Sequence, residues 1–260
     1  MTIRSFDEYS KLYHFIAMER RNGILQMTLN DNGGPFRWCL EAQRELVQAF
    51  KDVGADRDNR LIIFTGTGEV FSGPRSNGES VYAASGVGHT PLDQDKTHWN
   101  AKRLMTHMLD IEVPIIAAVN GPATRHCELP LLCDIVIGSD DCTFEDTAHF
   151  HLGNHVPGDG MNVILTMLLG LNRARYMMLM GQVLGAEEAL RLGLISEIMP
   201  REKVLPRAWE IAEQLATKPD LLLRYSRIVL LDPLKRMMDT SVQWHLAMET
   251  IATIDSHNAH

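Results

Sequence analysis

The sequence lacks the features that mark membrane-spanning, secreted, disulfide-rich and nucleic-acid-binding proteins. No apolar run approaches the ~18 residues of a membrane-spanning helix, and residues 1–8 lack the apolar region of a signal peptide. There are only four cysteines, with no CxxC pair, which predicts free thiols rather than a disulfide framework. Lys and Arg number 25 against 33 Asp and Glu, and the net charge of −8 argues against nucleic acid or a membrane surface as partner. We therefore expect a cytoplasmic protein.

Signals for a bound nucleotide or metal are also missing. The glycine-rich stretches at 66–68 and 158–160 lack both the GxGxxG pattern and the lysine of a phosphate-binding loop. The 11 histidines include no pair at ligand spacing along a helix with a third supporting residue. The sequence therefore predicts that the protein has no cofactor and no metal site.

Strand and helix patterns alternate over the first two thirds of the chain, which is typical of an α/β fold with a parallel sheet. Helical patterns dominate after Gly170. The predicted strands are 15–19 and 24–29, joined by an Asn-Gly turn, then 61–64 and 114–119. The predicted helices are 40–53, 99–109, 173–180, 186–192, 201–216, 219–231 and 234–254. These patterns predict a core over residues 1–195 and a C-terminal helical lobe over 196–260.

Residues 120–128 are the most informative part of the chain. They read Asn-Gly-Pro-Ala-Thr-Arg-His-Cys-Glu and lie between a predicted strand and another apolar run. An Asn-Gly turn that leaves a strand and enters a helix is expected to present backbone N–H groups to a ligand. This segment presents the side chain of His126 instead.

Four ordered motifs over about half of the chain resemble the crotonase superfamily, which contains the enoyl-CoA hydratases and isomerases. They are LIIFTGTGEVFSG at 61–73, CDIV at 133–136, LGNHVPGDG at 152–160, and the pair QVLGAEEA and GLIS within 182–196. The resemblance implies a spiral core of ββα units with a C-terminal helical lobe. It also implies a homo-oligomer, a trimer or a dimer of trimers, that uses these helices as its oligomerisation lobe.

The chain departs from the crotonase pattern where that family holds a thioester enolate. Crotonases use two backbone N–H groups for the enolate oxygen. One follows the Phe-Ser step, where this chain has Pro74, which carries no N–H. The other belongs to a glycine run, in which His126 and its neighbours stand here. Loss of one such donor typically costs roughly 2.7–4 kcal/mol of transition-state stabilisation, so the departures argue against CoA-thioester chemistry.

The acid and base residues also depart from the family. Glu128 takes the first of the two glutamate positions of the hydratases, and His149 takes the second. The following loop carries Asp159 between two glycines. A histidine beside an aspartate can act as a general base, since the carboxylate fixes the tautomer and stabilises the imidazolium. The ordinary histidine pKa of ~6.5 suits deprotonation of water near neutrality.

His126, His149 and Asp159 in this context resemble 6-oxocamphor hydrolase and related β-diketone hydrolases, which are cofactor-independent members of the crotonase superfamily. The resemblance implies that His126 binds a substrate carbonyl or its enolate. It implies that His149 and Asp159 activate the attacking water. Trp38 and Glu249 match two further positions that line the pocket in that group. The implied reaction is retro-Claisen hydrolysis of the C–C bond between the carbonyls of a β-diketone, giving a keto acid.

Each candidate also has a purely structural explanation. Asp159 could cap the helix that follows it, and Glu128 could pair with Arg125 at the surface. Trp38 could be a core or lid residue. Glu249 could lie on the solvated face of an amphipathic helix.

Two alternatives to His149 lie close by in the sequence, His151 and His155. Two alternative functions also remain open. The first is a hydratase or isomerase that acts on CoA thioesters with an unusual oxyanion hole. The second is a non-catalytic crotonase-like protein, against which the acidic charge and the retained histidine and aspartate argue.

Overall fold

A computed structural model describes residues 3–73 and 90–258. Its strands are β1 (Ile16–Arg21), β2 (Ile24–Leu29), β3 (Leu61–Thr65), β4 (Ile115–Val119), β5 (Ile135–Ser139), β6 (Thr143–Phe144), β7 (Leu184–Gly185) and β8 (Glu197–Met199). The main sheet has six of them in the order β1-β2-β3-β4-β5-β8. The first two are antiparallel and every later pairing in this sheet is parallel. A small second sheet pairs β6 with β7. The predicted α/β class is confirmed.

Helices connect and cover these strands. They are α1 (Phe6–Tyr9), α2 (Leu40–Ala55), α3 (Pro91–Leu109), α4 (Glu128–Leu131), α5 (Met161–Leu169), α6 (Leu171–Met180), α7 (Ala186–Leu192), α8 (Arg201–Leu215) and α9 (Asp220–Asn258). None of the helices that the structure describes is both long enough and apolar enough to cross a membrane. All four cysteines are free thiols, as the spacing predicted.

The parallel strands are apolar at nearly every position because both faces of the sheet are covered. Ile62 and Phe64 of β3 belong to the larger core, whereas Leu61 and Ile63 face a second cluster. That second cluster is closed by small and apolar residues of α8. The sheet therefore forms a rigid layer whose carboxyl ends carry the loops of interest.

The hairpin predicted at the start of the chain is confirmed. Its turn residues Asn22 and Gly23 have φ values of 51° and 78°, the left-handed conformation that a two-residue hairpin loop requires. The last strand of the sheet, β8, ends at Met199 and pairs with β5 in parallel. Helix α8 packs on the same sheet.

Three predicted helices differ from the observed ones. The expected separate helices 219–231 and 234–254 are one helix, α9, of 39 residues with Pro233 inside it. Proline removes one donor but does not forbid a helix that packing stabilises, and the side chains of Met238, Val242 and Leu246 are buried beyond it. Helix α3 begins eight residues before its predicted start, because Thr90 caps the Asp93 N–H and proline is favoured at the first position.

Loops that leave the carboxyl ends of β3 and β4 run side by side. The Phe71 N–H donates to the Pro122 carbonyl at 3.0 Å, and the Thr124 N–H donates to the Ser72 carbonyl at 2.9 Å. A parallel bridge then links Ala123 to Phe144 of β6. This pairing brings the segment before His126 against the segment before His149. Pro74, at the predicted first donor site, lies outside the described residues.

Candidate active site

The Asn-Gly pair after β4 fixes its loop against the loop after β3. The Asn120 side-chain Oδ1 accepts the Gly66 N–H at 3.0 Å, and its Nδ2 donates to the Gly68 carbonyl at 2.9 Å. A Cβ on Gly121 would lie 2.0 Å from the carbonyl oxygen of Glu69, so only glycine fits this contact. The backbone that leads to His126 is therefore rigidly placed.

His126 occupies a backbone conformation that normally belongs to glycine. Its φ is 55°, in the left-handed region that costs a residue with a Cβ about 1–2 kcal/mol. Its imidazole is buried and packs on the indole of Trp38, with the ring centroids 3.9 Å apart. The chain keeps a glycine-like backbone at this position but places an aromatic base there.

Glu128 is a partner of His126 and not a surface residue. Its side chain is fully buried, and its Oε1 lies 2.5 Å from Nδ1 of His126. The expectation of a surface pair with Arg125 is therefore wrong, because Arg125 is buried too and donates to the Thr147 carbonyl at 3.1 Å. With Nδ1 bonded to Glu128, Nε2 is the nitrogen of His126 that can meet a ligand.

His149 lies between two carboxylates. Its Nδ1 is 2.9 Å from Oδ1 of Asp146, and its Nε2 is 3.4 Å from Oδ2 of Asp159. All three side chains are almost completely buried. The sequence predicted the pair with Asp159 but missed Asp146. The Asp-x-x-His spacing was the available signal, because an aspartate at a turn accepts N–H groups of the residues that follow it.

Asp159 bonds to the first N–H of α5 from the position before the N-cap residue, Gly160, and it faces both histidines at once. Its Oδ1 accepts the Met161 N–H at the start of α5 at 3.2 Å. Its Oδ2 points to Nε2 of His149 and lies 3.8 Å from Nδ1 of His126. The capping explanation and the site explanation are therefore compatible for this residue.

Glu249 of α9 reaches the same cluster and is not on a solvated face. Its Oε2 accepts the Gly158 N–H at 3.1 Å. A Cβ on Gly158 would lie 2.5 Å from the carbonyl oxygen of His245 and 2.9 Å from this Oε2. The glycine therefore allows the loop before Asp159 to approach α9 and to deliver a carboxyl group to the site.

One cavity collects most of these groups. It encloses about 580 Å³ of open space including its mouth, and His126, His149, Asp159 and Glu249 line it. Trp38 is not among the lining residues; it packs on His126 and lines a separate, more open cleft. The structure thus brings four of the five predicted site residues to one cavity and places the fifth behind one of them.

The two alternative histidines differ in position. His151 is exposed, whereas His155 lines the cavity and its Nδ1 lies 3.0 Å from the hydroxyl of Thr253. His149 is the one that contacts two carboxylates. Polar residues of α2 and α3, including Gln43, Gln94 and His98, complete the opposite wall.

Burial and charge set the protonation of the cluster. Burial alone would lower the pKa of His149, but the charges of Asp159 and Asp146 outweigh it and hold this pKa well above its ordinary value. Burial opposes ionisation of Asp159, yet the neighbouring His149 keeps the pKa of Asp159 well below its usual range. Burial raises the pKa of Glu249 to about 8. At neutral pH these shifts favour the protonated forms of both His149 and Glu249.

Ligand atoms of His126, Glu128 and Asp159 lie within 4.8 Å of one another, a spacing compatible with a metal ion. Two donors on one tetrahedral zinc ion stand about 3.3 Å apart. Nδ1 of His126 and Oε1 of Glu128 are 2.5 Å apart, which is too close for two ligands of one ion and slightly shorter than the ~2.7–2.9 Å typical of a charge-assisted N–H···O hydrogen bond. The contact therefore fits a hydrogen-bonded pair better than two metal ligands.

Comparison with known proteins places the chain in one family. A sequence model described as enoyl-CoA hydratase/isomerase matches residues 19–254. A probable peroxisomal enoyl-CoA hydratase from Arabidopsis thaliana is 32% identical over 214 residues, which are 82% of this chain and 77% of the plant protein. The family match runs from within β1 to within α9.

Solved structures have the same fold, and one of them is also similar to this chain in sequence. A β-diketone hydrolase from the cyanobacterium Anabaena sp. PCC 7120, bound to (S)-3-oxocyclohexyl acetic acid, superimposes with a TM-score of 0.90. It is 37% identical, and the match covers 96% of this chain and 98% of that one. An enoyl-CoA hydratase/isomerase from Mycobacterium paratuberculosis has a TM-score of 0.81 at 23% identity, covering 94% of this chain and 95% of that one. The latter likeness concerns the fold alone.

Proposed function

This chain belongs to the enoyl-CoA hydratase/isomerase family, and we propose that within it the protein is a cofactor-independent hydrolase of β-diketones. The observation that carries the proposal is the buried pair of imidazoles that faces one cavity. Both rings line the cavity. By the resemblance to the crotonases, His126 stands in place of a glycine that offers its N–H, and His149 stands in place of a glutamate of the hydratases. The likeness to the Anabaena β-diketone hydrolase supports the same reading.

The proposed reaction is a retro-Claisen cleavage. Water adds to one carbonyl carbon while its proton passes to Nε2 of His149, and Asp159 stabilises the imidazolium that forms. The tetrahedral alkoxide collapses and breaks the bond to the carbon between the two carbonyls. The electron pair of that bond becomes an enolate on the second ketone, and protonation of the enolate carbon gives a keto acid.

His126 is proposed to bind the enolate oxygen. This role requires the imidazolium form of His126, since the Glu128 carboxylate takes the Nδ1 proton and Nε2 then needs a second proton to donate. That Nε2–H can replace a backbone donor because it points at the place where negative charge develops. Glu128 holds the ring from Nδ1, and Trp38 packs on its face, so Nε2 keeps its direction as charge builds up. Trp38 therefore supports the binding residue from behind the cavity.

Glu249 is proposed to return a proton to the enolate carbon. Its carboxyl group lines the cavity and keeps its proton up to about pH 8 because it is buried. A buried acid of this kind can donate a proton at neutral pH. The keto acid bound to the Anabaena hydrolase belongs to the class of product that this reaction forms.

The activity should depend on pH in a way that separates these two groups. His149 must be neutral to accept a proton, and its raised pKa moves the acid limb of kcat/KM above pH 6.5. Glu249 must be protonated, so activity should fall again above about pH 8. A pH profile of the wild type and of Glu249→Gln checks this, because the variant should retain the acid limb and lose the alkaline one. An acid limb at or below pH 6.5 would contradict the assignment.

Direct turnover tests the function itself. Purified protein, with a metal chelator and without CoA, is mixed with a bicyclic 1,3-diketone, and loss of the diketone and formation of a keto acid are followed. Monocyclic and open-chain diketones and crotonyl-CoA are assayed in parallel. We expect cleavage of a diketone and no hydration of the thioester. Hydration of crotonyl-CoA without cleavage of any diketone would instead assign the chain to the thioester chemistry after which its Arabidopsis relative is named.

We also propose that the protein is a homo-oligomer, a trimer or a dimer of trimers, assembled through its C-terminal helices. Large apolar side chains of α9 are exposed in the single chain, among them Val229 and Leu230 at 70% and 78% exposure. Exposed apolar surface of this kind marks interaction sites. Light scattering after size exclusion should give three or six times the chain mass, and Leu230→Glu should lower it. A monomeric wild type would refute the proposal.

A further inference from the structure

The reaction proposed above assigns no role to the carboxylate of Asp146. Its Oδ1 lies 2.9 Å from Nδ1 of His149, and the same oxygen accepts the backbone N–H groups of Ala148 at 3.1 Å and of His149 at 3.2 Å. The Asp146 side chain is only 2% exposed. Since three donors converge on one oxygen, the carboxylate cannot turn away without losing all of them. It therefore fixes the imidazole from the Nδ1 side.

The same contact decides which nitrogen of His149 can react. A neutral imidazole carries one proton, and an ionised carboxylate can only accept, so the contact keeps that proton on Nδ1. Nε2 then carries the lone pair, on the side of the ring that faces Asp159 and the cavity. We propose that Asp146 is a positioning residue that fixes the ring and the tautomer of His149, so that Nε2 exchanges a proton with water in the cavity. This inference rests on the proposed function.

Asp146 also bears on the charge of His149. The ionisable groups near this imidazole are Asp146 from its own turn, Asp159 from the loop before α5, Arg125 and His126 from the loop after β4, Glu249 from α9, His98 from α3, and His155. Of these, Asp146 and Asp159 touch the ring and favour its protonated form. Removing the charge of Asp146 should therefore lower the pKa of His149. It should also weaken the preference of the neutral ring for the tautomer with the proton on Nδ1.

Asp146→Asn tests both consequences in the full-length protein. In nitrogen-detected NMR of ¹⁵N-histidine-labelled protein, wild-type His149 should carry its proton on Nδ1 when neutral. In the variant its pKa should fall by about 1–3 units, and the share of the Nδ1–H tautomer should drop, because a neutral amide oxygen holds that proton less strongly than a carboxylate. The acid limb of kcat/KM should move to lower pH by the same amount, while kcat at the plateau falls about 100-fold and KM changes little.

Two further variants separate positioning from folding. Asp146→Ser keeps a hydroxyl that can accept the backbone N–H groups of the turn but removes the charge, so it should show the same shifts even if the asparagine variant misfolds. Asp141→Asn is the matched control, because this aspartate pairs with Arg201 on the surface, and it should behave as wild type.

Different results would overturn the positioning role of Asp146 and the proposed function on which it rests. A folded Asp146 variant with an unchanged His149 tautomer, pKa and acid limb would overturn the positioning role. Failure of the wild type to cleave any diketone would overturn the proposed function, and the catalytic part of this inference with it. The NMR titration still decides in that case whether Asp146 sets the protonation of His149.

Discussion

Replacing His149 by alanine is expected to lower kcat for diketone cleavage by about 10³-fold. The imidazole lies between Asp146 and Asp159 and is the group that can both take a proton from water and remain stable as a cation. Steady-state kinetics at the pH optimum of the wild type measures the loss. KM should change much less, because the lost interaction belongs to the transition state.

The neighbouring residues provide the controls for this experiment. Asp159→Asn should also lower kcat strongly, and the double variant with His149→Ala should lose hardly more than the worse single variant, since the two residues act as a unit. His151→Ala, at an exposed position two residues away, should retain activity. Full activity of His149→Ala or of Asp159→Asn would refute the water-activating pair.

Replacing His126 by alanine or by glycine is expected to lower kcat/KM by about 10²–10³-fold, with kcat falling and KM rising. The imidazole is proposed to bind one carbonyl oxygen in the ground state and the enolate oxygen in the transition state, and removal of such a donor has this cost. Kinetics with the bicyclic diketone that the wild type turns over measures the change. Turnover of crotonyl-CoA should be measured for the glycine variant as well.

The two substitutions at position 126 separate chemistry from backbone strain. The φ of 55° strains alanine but not glycine, so thermal unfolding should show the glycine variant to be the more stable of the two. Both should have lost the same activity, because both lack the imidazole. If the glycine variant alone remained active, backbone conformation and not the His126 ring would be the feature that matters.

Much of the fold could be predicted because its signals are local. The Asn22-Gly23 turn, the apolar run of β3 and the motifs around residues 61–73 and 182–196 each fix a short segment through turn chemistry or continuous burial. Helix α9 is where local reasoning failed. A proline ends most helices, but here buried side chains on its C-terminal side pack against α3 and α5 and the helix continues.

The site was predictable only as a set of positions. His126 and His149 could be singled out because each stands where the crotonase pattern has another residue. Their partners could not be assigned from spacing alone. The pairing of Glu128 with His126 depends on a backbone turn that directs both side chains inward, and the same turn excludes a surface contact with Arg125.

By itself the sequence determined the family, the alternation of strands and helices, and the residue types at the carboxyl ends of β3 and β4, because these follow from patterns within a few residues. Only the tertiary structure decided the protonation of the site and the direction of its groups. Glu249 meets the Gly158 N–H across 91 residues of chain and acquires a pKa of about 8 because it is buried there. Packing places the Trp38 indole against the His126 ring and outside the lining of the cavity. Burial and side-chain direction arise from contacts between distant segments, and a single sequence does not record them.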